Sequence, residues 1–169
     1  SQPFTATVTT SDGTARVFSV HPAATFTNVG GGGQSAAVGA PFANPVTATL
    51  VDPSTNQPLQ GVVVRFYGHA IAVANPDAVA TDALGHVSFN VVATQIPATF
   101  AADIFAADWA VSSAATLTTL GDSVTIDSGT AITTCVGQSI TITGHVFNGF
   151  GAPRAGAAVS VAYPPAKIT

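Results

Sequence analysis

The chain has 169 residues, 47% of them apolar and 7% charged, with a formal net charge of −4. Its four cations, Arg16, Arg65, Arg154 and Lys167, are scattered, which argues against a nucleic-acid surface, because phosphate binding needs clustered Lys and Arg. No apolar run approaches the ~20 residues of a membrane helix. All eight acids are Asp and none is Glu, whereas Val, Thr, Ile and Phe are abundant. Helix formers are scarce and residues suited to a pleated surface are common, so the composition is all-β.

In chain order, FTATVTTSDGTARVFSV at residues 4–20 reads as a strand, a tight turn and a second strand. A glycine run at residues 30–33 lacks the strand-before, helix-after context and the Gly-Lys-Ser/Thr of a phosphate loop, so it reads as a flexible loop. Residues 46–51, VTATLV, alternate as a strand, and DPSTNQP at 52–58 supplies turn chemistry before a second strand at 59–67. Residues 79–81 and 87–92 flank a turn at 82–85, with Val87, Phe89 and Val91 expected inward and His86, Ser88 and Asn90 outward. Strands at 99–104 and 109–117 close the series. About seven short strands in roughly ninety residues match the size of an immunoglobulin-like sandwich.

The chain then repeats itself. Pro58, Gly61, Val64 and Phe66 find counterparts in Pro153, Gly156, Val159 and Val161, and Val38-Gly39 in Val136-Gly137, next to Cys135. A second domain therefore starts near Leu120 and is only half present by Thr169. The stretch that would continue it, a strand, an Asp/Gly turn and an inward-facing strand, matches residues 4–20. Gly13, Ala15 and Val17 align with Gly85, Val87 and Phe89, with the preceding turn read as one residue shorter. The expected organisation is all-β: two Ig-like sandwiches, the first at 22–118, the second split between 119–169 and 1–21.

Val38, Gly39, Asp52, Pro58, Gly61, Val64, Phe66, Thr81, Asp82 and Gly85 together form a pattern that resembles the bacterial Ig-like domains of invasin- and intimin-type adhesins and related tandem surface-repeat proteins. The resemblance covers residues 23–118 well. Residues 120–169 and 1–21 fit more loosely, with Asn148-Gly149 where the family usually has Asp. It implies an extracellular or cell-surface spacer, stalk or fibre module without chemistry of its own.

An open half-sandwich leaves an apolar edge that invites a partner strand. Residues 1–21 are expected in one sheet with 138–163. The segment can come from the next subunit, from a longer array of repeats, or from the chain's own N-terminus. The first option gives a head-to-tail homopolymer. The inserted strands carry Phe4, Thr5, Ala6, Thr7, Val8, Ala15, Val17 and Val20; the acceptor positions are Ile140, Ile142, Val146, Val159 and Val161.

No catalytic constellation and no cofactor are expected. Asp103, Asp108, Asp122 and Asp127 are calcium candidates by residue type, yet their spacing fits no Ca²⁺ loop, and turn or cap roles suit them. His21, His69, His86 and His145 have no zinc-like spacing. Trp109 with Phe105 reads as a core aromatic, the alternative being a carbohydrate platform. Cys135 stands alone, read as a buried thiol or an intermolecular bridge. No basic-then-apolar leader is present, which suits a processed chain. Two functions follow: a structural subunit of an extracellular filament or stalk, or an adhesin or carbohydrate-binding module whose host or glycan ligand is unknown.

Overall fold

The computed structural model describes residues 4–20, 23–128 and 137–161, with the backbone alone for residues 4, 5 and 18–20. The chain forms two compact units, Ser1–Gly121 and Asp122–Thr169.

Unit 1 opens with a hairpin of β1 (Phe4–Thr9) and β2 (Ala15–Val20), paired from Phe4↔Val20 to Thr9↔Ala15 as a two-stranded sheet of its own. In its turn the Thr10 N–H donates to the Thr14 carbonyl and the Gly13 N–H to the Thr10 carbonyl, both at 2.9 Å. Gly13 sits at φ +83°, a conformation open to glycine at no steric cost. The Asp12 carboxylate accepts from the Thr14 N–H at 2.9 Å and from the Thr10 hydroxyl.

The rest of unit 1 is a β-sandwich. Its strands are β3 (Thr25–Gly30), β4 (Gln34–Ala37), β5 (Val46–Val51), β6 (Val63–Tyr67), β7 (Ala72–Ala74), β8 (Ala78–Ala80), β9 (His86–Phe89), β10 (Val91–Ala93), β11 (Ala98–Ala106) and β12 (Val111–Leu120). One sheet runs β3-β5-β9; the other runs β4-β12-β11-β6-β8; β7 and β10 form a ribbon. The largest fully buried side chains come from both main sheets: Val46, Leu50 and Phe89 from the first, Val64, Ile104 and Leu117 from the second. Phe66 meets Phe89 at a centroid distance of 5.8 Å. Strict alternation along β6 and β9, with Val64, Phe66, Val87 and Phe89 buried and their neighbours exposed, is the period-two pattern of strands with one wet face.

The structure departs from the sequence reading at four places. The glycine run is no slack loop: it carries the chain from the first sheet, where β3 pairs with β5, to the second, where β4 runs parallel to β12. A Cβ on Gly31, at φ +80°, would stand 2.2 Å from the Pro45 carbonyl oxygen, so the crossing is too tight for a side chain. The expected strand at 59–67 begins only at Val63, because an isolated bridge from Val51 to Pro58 and the left-handed Gly61 hold residues 58–62 as a turn. The expected strand at 87–92 breaks at Asn90 and continues as β10, paired with β7. The expected strand at 109–117 begins only at Val111, because Trp109 ends a 3₁₀ turn, Ala107–Trp109, that joins β11 to β12; its ring packs half-buried against the core.

Unit 2 contains β13 (Ser123–Ile126) and β14 (Gly144–Phe147), a two-stranded antiparallel sheet. None of its described residues is buried.

Candidate functional site

Unit 2 repeats the strand pairing that opens the sandwich in unit 1, with the turn after its second strand one residue shorter and no counterpart of the Thr27–Gly30 register shift. In unit 1, β3 pairs with β5 through Thr25↔Val51 and Phe26↔Leu50; in unit 2, β13 pairs with β14 through Ser123↔Phe147 and Val124↔Val146. The turn after β5 is closed by Asp52 N–H to the Gln57 carbonyl at 2.9 Å and Leu59 N–H to the Leu50 carbonyl at 3.0 Å. After β14, Asn148 N–H meets the Ala152 carbonyl and Arg154 N–H the Val146 carbonyl, both at 2.8 Å. The bridge Val51↔Pro58 has its counterpart in Phe147↔Pro153, and the left-handed Gly61 (φ +76°) in Gly156 (φ +72°). The Asp52 carboxylate accepts from the Ser54 N–H at 2.8 Å and its hydroxyl at 2.6 Å. Asn148 Oδ1 takes the same place, accepting from the Phe150 and Ala152 N–H groups at 3.0 Å. Asn substitutes for Asp here because both present an oxygen to turn amides. Thus β13 and β14 stand where β3 and β5 stand. Cys135 and Val136, the remaining members of the upstream match, lie outside the described residues.

What differs is the other edge of the second strand. In unit 1 β9 occupies it, with Val46↔Phe89 and Ala48↔Val87. In unit 2, among the described residues, no strand pairs with that edge of β14. The face beside it is apolar and open. Val124, Ile126, Ile142, Val146, Val159 and Val161 line a groove of about 620 Å³. Of the five acceptor positions named from sequence, four lie along it and Ile140, 45% exposed, sits two residues ahead of Ile142. Val124 and Ile126, which the sequence reading left out, line it too; the alternation SVTI was the available signal.

The hairpin positions divide by register. Val8 and Val17 are 55% and 65% exposed, and because Val17 pairs with Thr7 and Val8 with Arg16, they fall on opposite faces of the ladder. Ala15 is exposed and Ala6 half-buried. Thr7 shares the Val17 face by register; the side chains of Phe4, Thr5 and Val20 lie outside the described ones. The Thr10–Gly13 turn repeats the bonds of Asp82–Gly85, where Asp82 N–H meets the His86 carbonyl at 3.0 Å and Gly85 N–H the Asp82 carbonyl at 2.9 Å. The two turns therefore have equal length, correcting the one-residue difference read from sequence. The carboxylate alone has moved, from the first turn position at Asp82 to the third at Asp12. The flanking strands also behave differently: β1 and β2 pair with each other, whereas β8 pairs with β6 and β9 with β5.

The aspartates first considered for calcium each have a nearer role. Asp103 on β11 meets His69 Nε2 at 2.8 Å, Asp127 meets His145 Nδ1 at 2.7 Å, and Asp122 pairs with Arg154. Asp108 lies in the first turn of the 3₁₀ segment. Sequence reasoning missed both His–Asp pairs; His69 and Asp103 are 34 positions apart and nothing local links them. The Tyr67 ring lies tilted against His69, at a centroid distance of 4.5 Å and an interplanar angle of 60°, and both residues are exposed. Among the described residues no three His, Cys, Asp or Glu side chains form a group able to hold a metal ion, and no helix is long and apolar enough to cross a membrane. No family model matches the chain, and no curated protein matches it.

Proposed function

We propose that the protein is a structural subunit of an extracellular filament, pilus-like fibre or surface stalk, assembled head-to-tail by β-strand complementation or by tandem Ig-like repeats. The observation that carries this reading is the geometric repeat: β13 and β14 have the pairing of β3 and β5, yet, among the described residues, the edge that β9 fills in unit 1 and the apolar face that the second sheet covers there are open in unit 2. Apolar side chains left in water gain by accepting further strands, and a strand edge with unpaired N–H and C=O groups is the place to accept them. The resemblance to invasin- and intimin-type repeats supports the same role, a mechanical one at the cell surface.

Electron microscopy of the purified chain tests it. Long unbranched filaments are the expected result, and a variant lacking residues 4–20 should give none while its first sandwich stays folded by near-ultraviolet circular dichroism. Monomers of the intact chain at high concentration would overturn the filament reading. A second reading, an adhesin or glycan-binding module, draws on the exposed Tyr67–His69–Asp103 cluster, since an aromatic face beside a carboxylate is suited to a sugar ring. Glycan binding by a monomeric chain would favour it.

A further inference from the structure

Granted the filament reading, on which this inference rests, the two structural repeats fix which strand pairs with which, and in what register. We infer that β2 of one copy adds antiparallel to the free edge of β14 and of the residues preceding it in a second copy, with Val17 opposite Ile142, Arg16 opposite Thr143 and Ala15 opposite Gly144.

The register follows from two superpositions. Matching β13–β14 to β3–β5 places Ile142 and Gly144 where Val46 and Ala48 stand. Matching the Thr10–Gly13 turn to Asp82–Gly85 places Ala15 and Val17 where Val87 and Phe89 stand. In unit 1 those residues are paired, Val46↔Phe89 and Ala48↔Val87. Directly opposed residues share a face, so Val17 would join Ile142 over the apolar groove, covering two side chains that are 65% and 49% exposed. A slip of one residue would turn Val17 to solvent.

Charge supports the same register. The Asp127 N–H donates to the Thr143 carbonyl at 2.8 Å, so Asp127 and Thr143 lie in one row on the outer face, beside His145. Setting Arg16 opposite Thr143 extends that row, bringing its guanidinium toward a carboxylate whose described ion-pair partner is a histidine. Arg16 makes no ion pair among the described residues. Arg16 would then stand one strand beyond Thr143 in the row that holds Asp127, a charge complementarity that favours this register over its neighbours. Among the described residues of one chain β2 pairs with β1 alone, so the occupant inferred is a second copy of this chain, presenting β2.

Site-directed cross-linking tests this. In a Cys135→Ser background, a Val17→Cys chain is mixed with an Ile142→Cys chain under assembly conditions and oxidised. Opposed residues of an antiparallel pair lie about 4.5–5.5 Å apart at Cα, inside the range a disulfide spans. The expected result is a disulfide-linked pair of chains, formed at least ~10-fold faster than from Phe18→Cys with Ile142→Cys, which samples the one-residue slip and the opposite face. Filaments that cross-link through position 18 instead, or through neither, overturn the register and leave the filament reading standing. A chain carrying both cysteines that closes only an internal disulfide overturns the second copy as occupant. Monomers without cross-links overturn both.

Discussion

Thr81 sits at 3% exposure between the two sheets' connections, and its hydroxyl serves two masters. It donates to the Leu59 carbonyl at 2.5 Å and accepts from the Val62 N–H at 3.0 Å, locking the turn before β6 to the strand β8 has just left. Thr81→Val keeps the shape and removes both partners, stranding a buried N–H and a buried carbonyl. We expect a loss of about 1–3 kcal/mol in urea unfolding, with the m-value unchanged. An unchanged midpoint would mean that water or a small backbone shift satisfies both groups. Thr81 was legible as part of a Thr-Asp-x-x-Gly pattern; its buried hydroxyl was not, because Leu59 lies 22 positions away and the partnership exists only once β6 and β8 pair.

At the scale of elements, the turns are the most local features and the best read from sequence. Each lowered carboxylate is held by its own turn: Asp52 by the Ser54 hydroxyl and then its N–H, Asp82 by the His86 N–H, Asp12 by the Thr10 hydroxyl and the Thr14 N–H. A carboxyl whose folded pKa lies below its unfolded value, about 3.9, gives stability that is present above that value and lost as pH falls through the folded pKa. Thermal midpoints should therefore hold from neutrality down to about pH 5 and fall below about pH 4. Asp52→Asn with Asp82→Asn should flatten that fall, since an amide oxygen can take the same hydrogen bonds without titrating, as Asn148 does. A double variant with the same acid limb would remove these turns from the account. Strand limits were less legible than turns: residues 59–62 are apolar enough for a strand, yet the bridge at Pro58 and the left-handed Gly61 decide otherwise.

For the whole molecule, the two units differ in kind. Unit 1 closes its sandwich around Leu50, Phe89, Ile104 and Leu117, whereas the described part of unit 2 buries no side chain. Hydrogen exchange on dilute chain should therefore show slow amides across β5, β11 and β12 and fast ones across β13 and β14. Assembly should slow the β14 amides as its second edge gains a partner; fast exchange there within filaments would mean that this edge stays open.

Alternation and turn residues by themselves determined that the protein is an all-β sandwich, which side chains of β6 and β9 face inward, and that its opening motif recurs after residue 120. These are consequences of a two-residue period and of hydrogen bonds that span at most a few positions, so they are written locally. Only the tertiary structure decided that the glycine run is a crossing between sheets, that Asp103 and His69 meet, that β1 and β2 pair with each other while β8 and β9 part, and that β14 keeps a free edge among the described residues. Pairing is a contest among distant strands with similar patterns, and the winner depends on which edges are already filled.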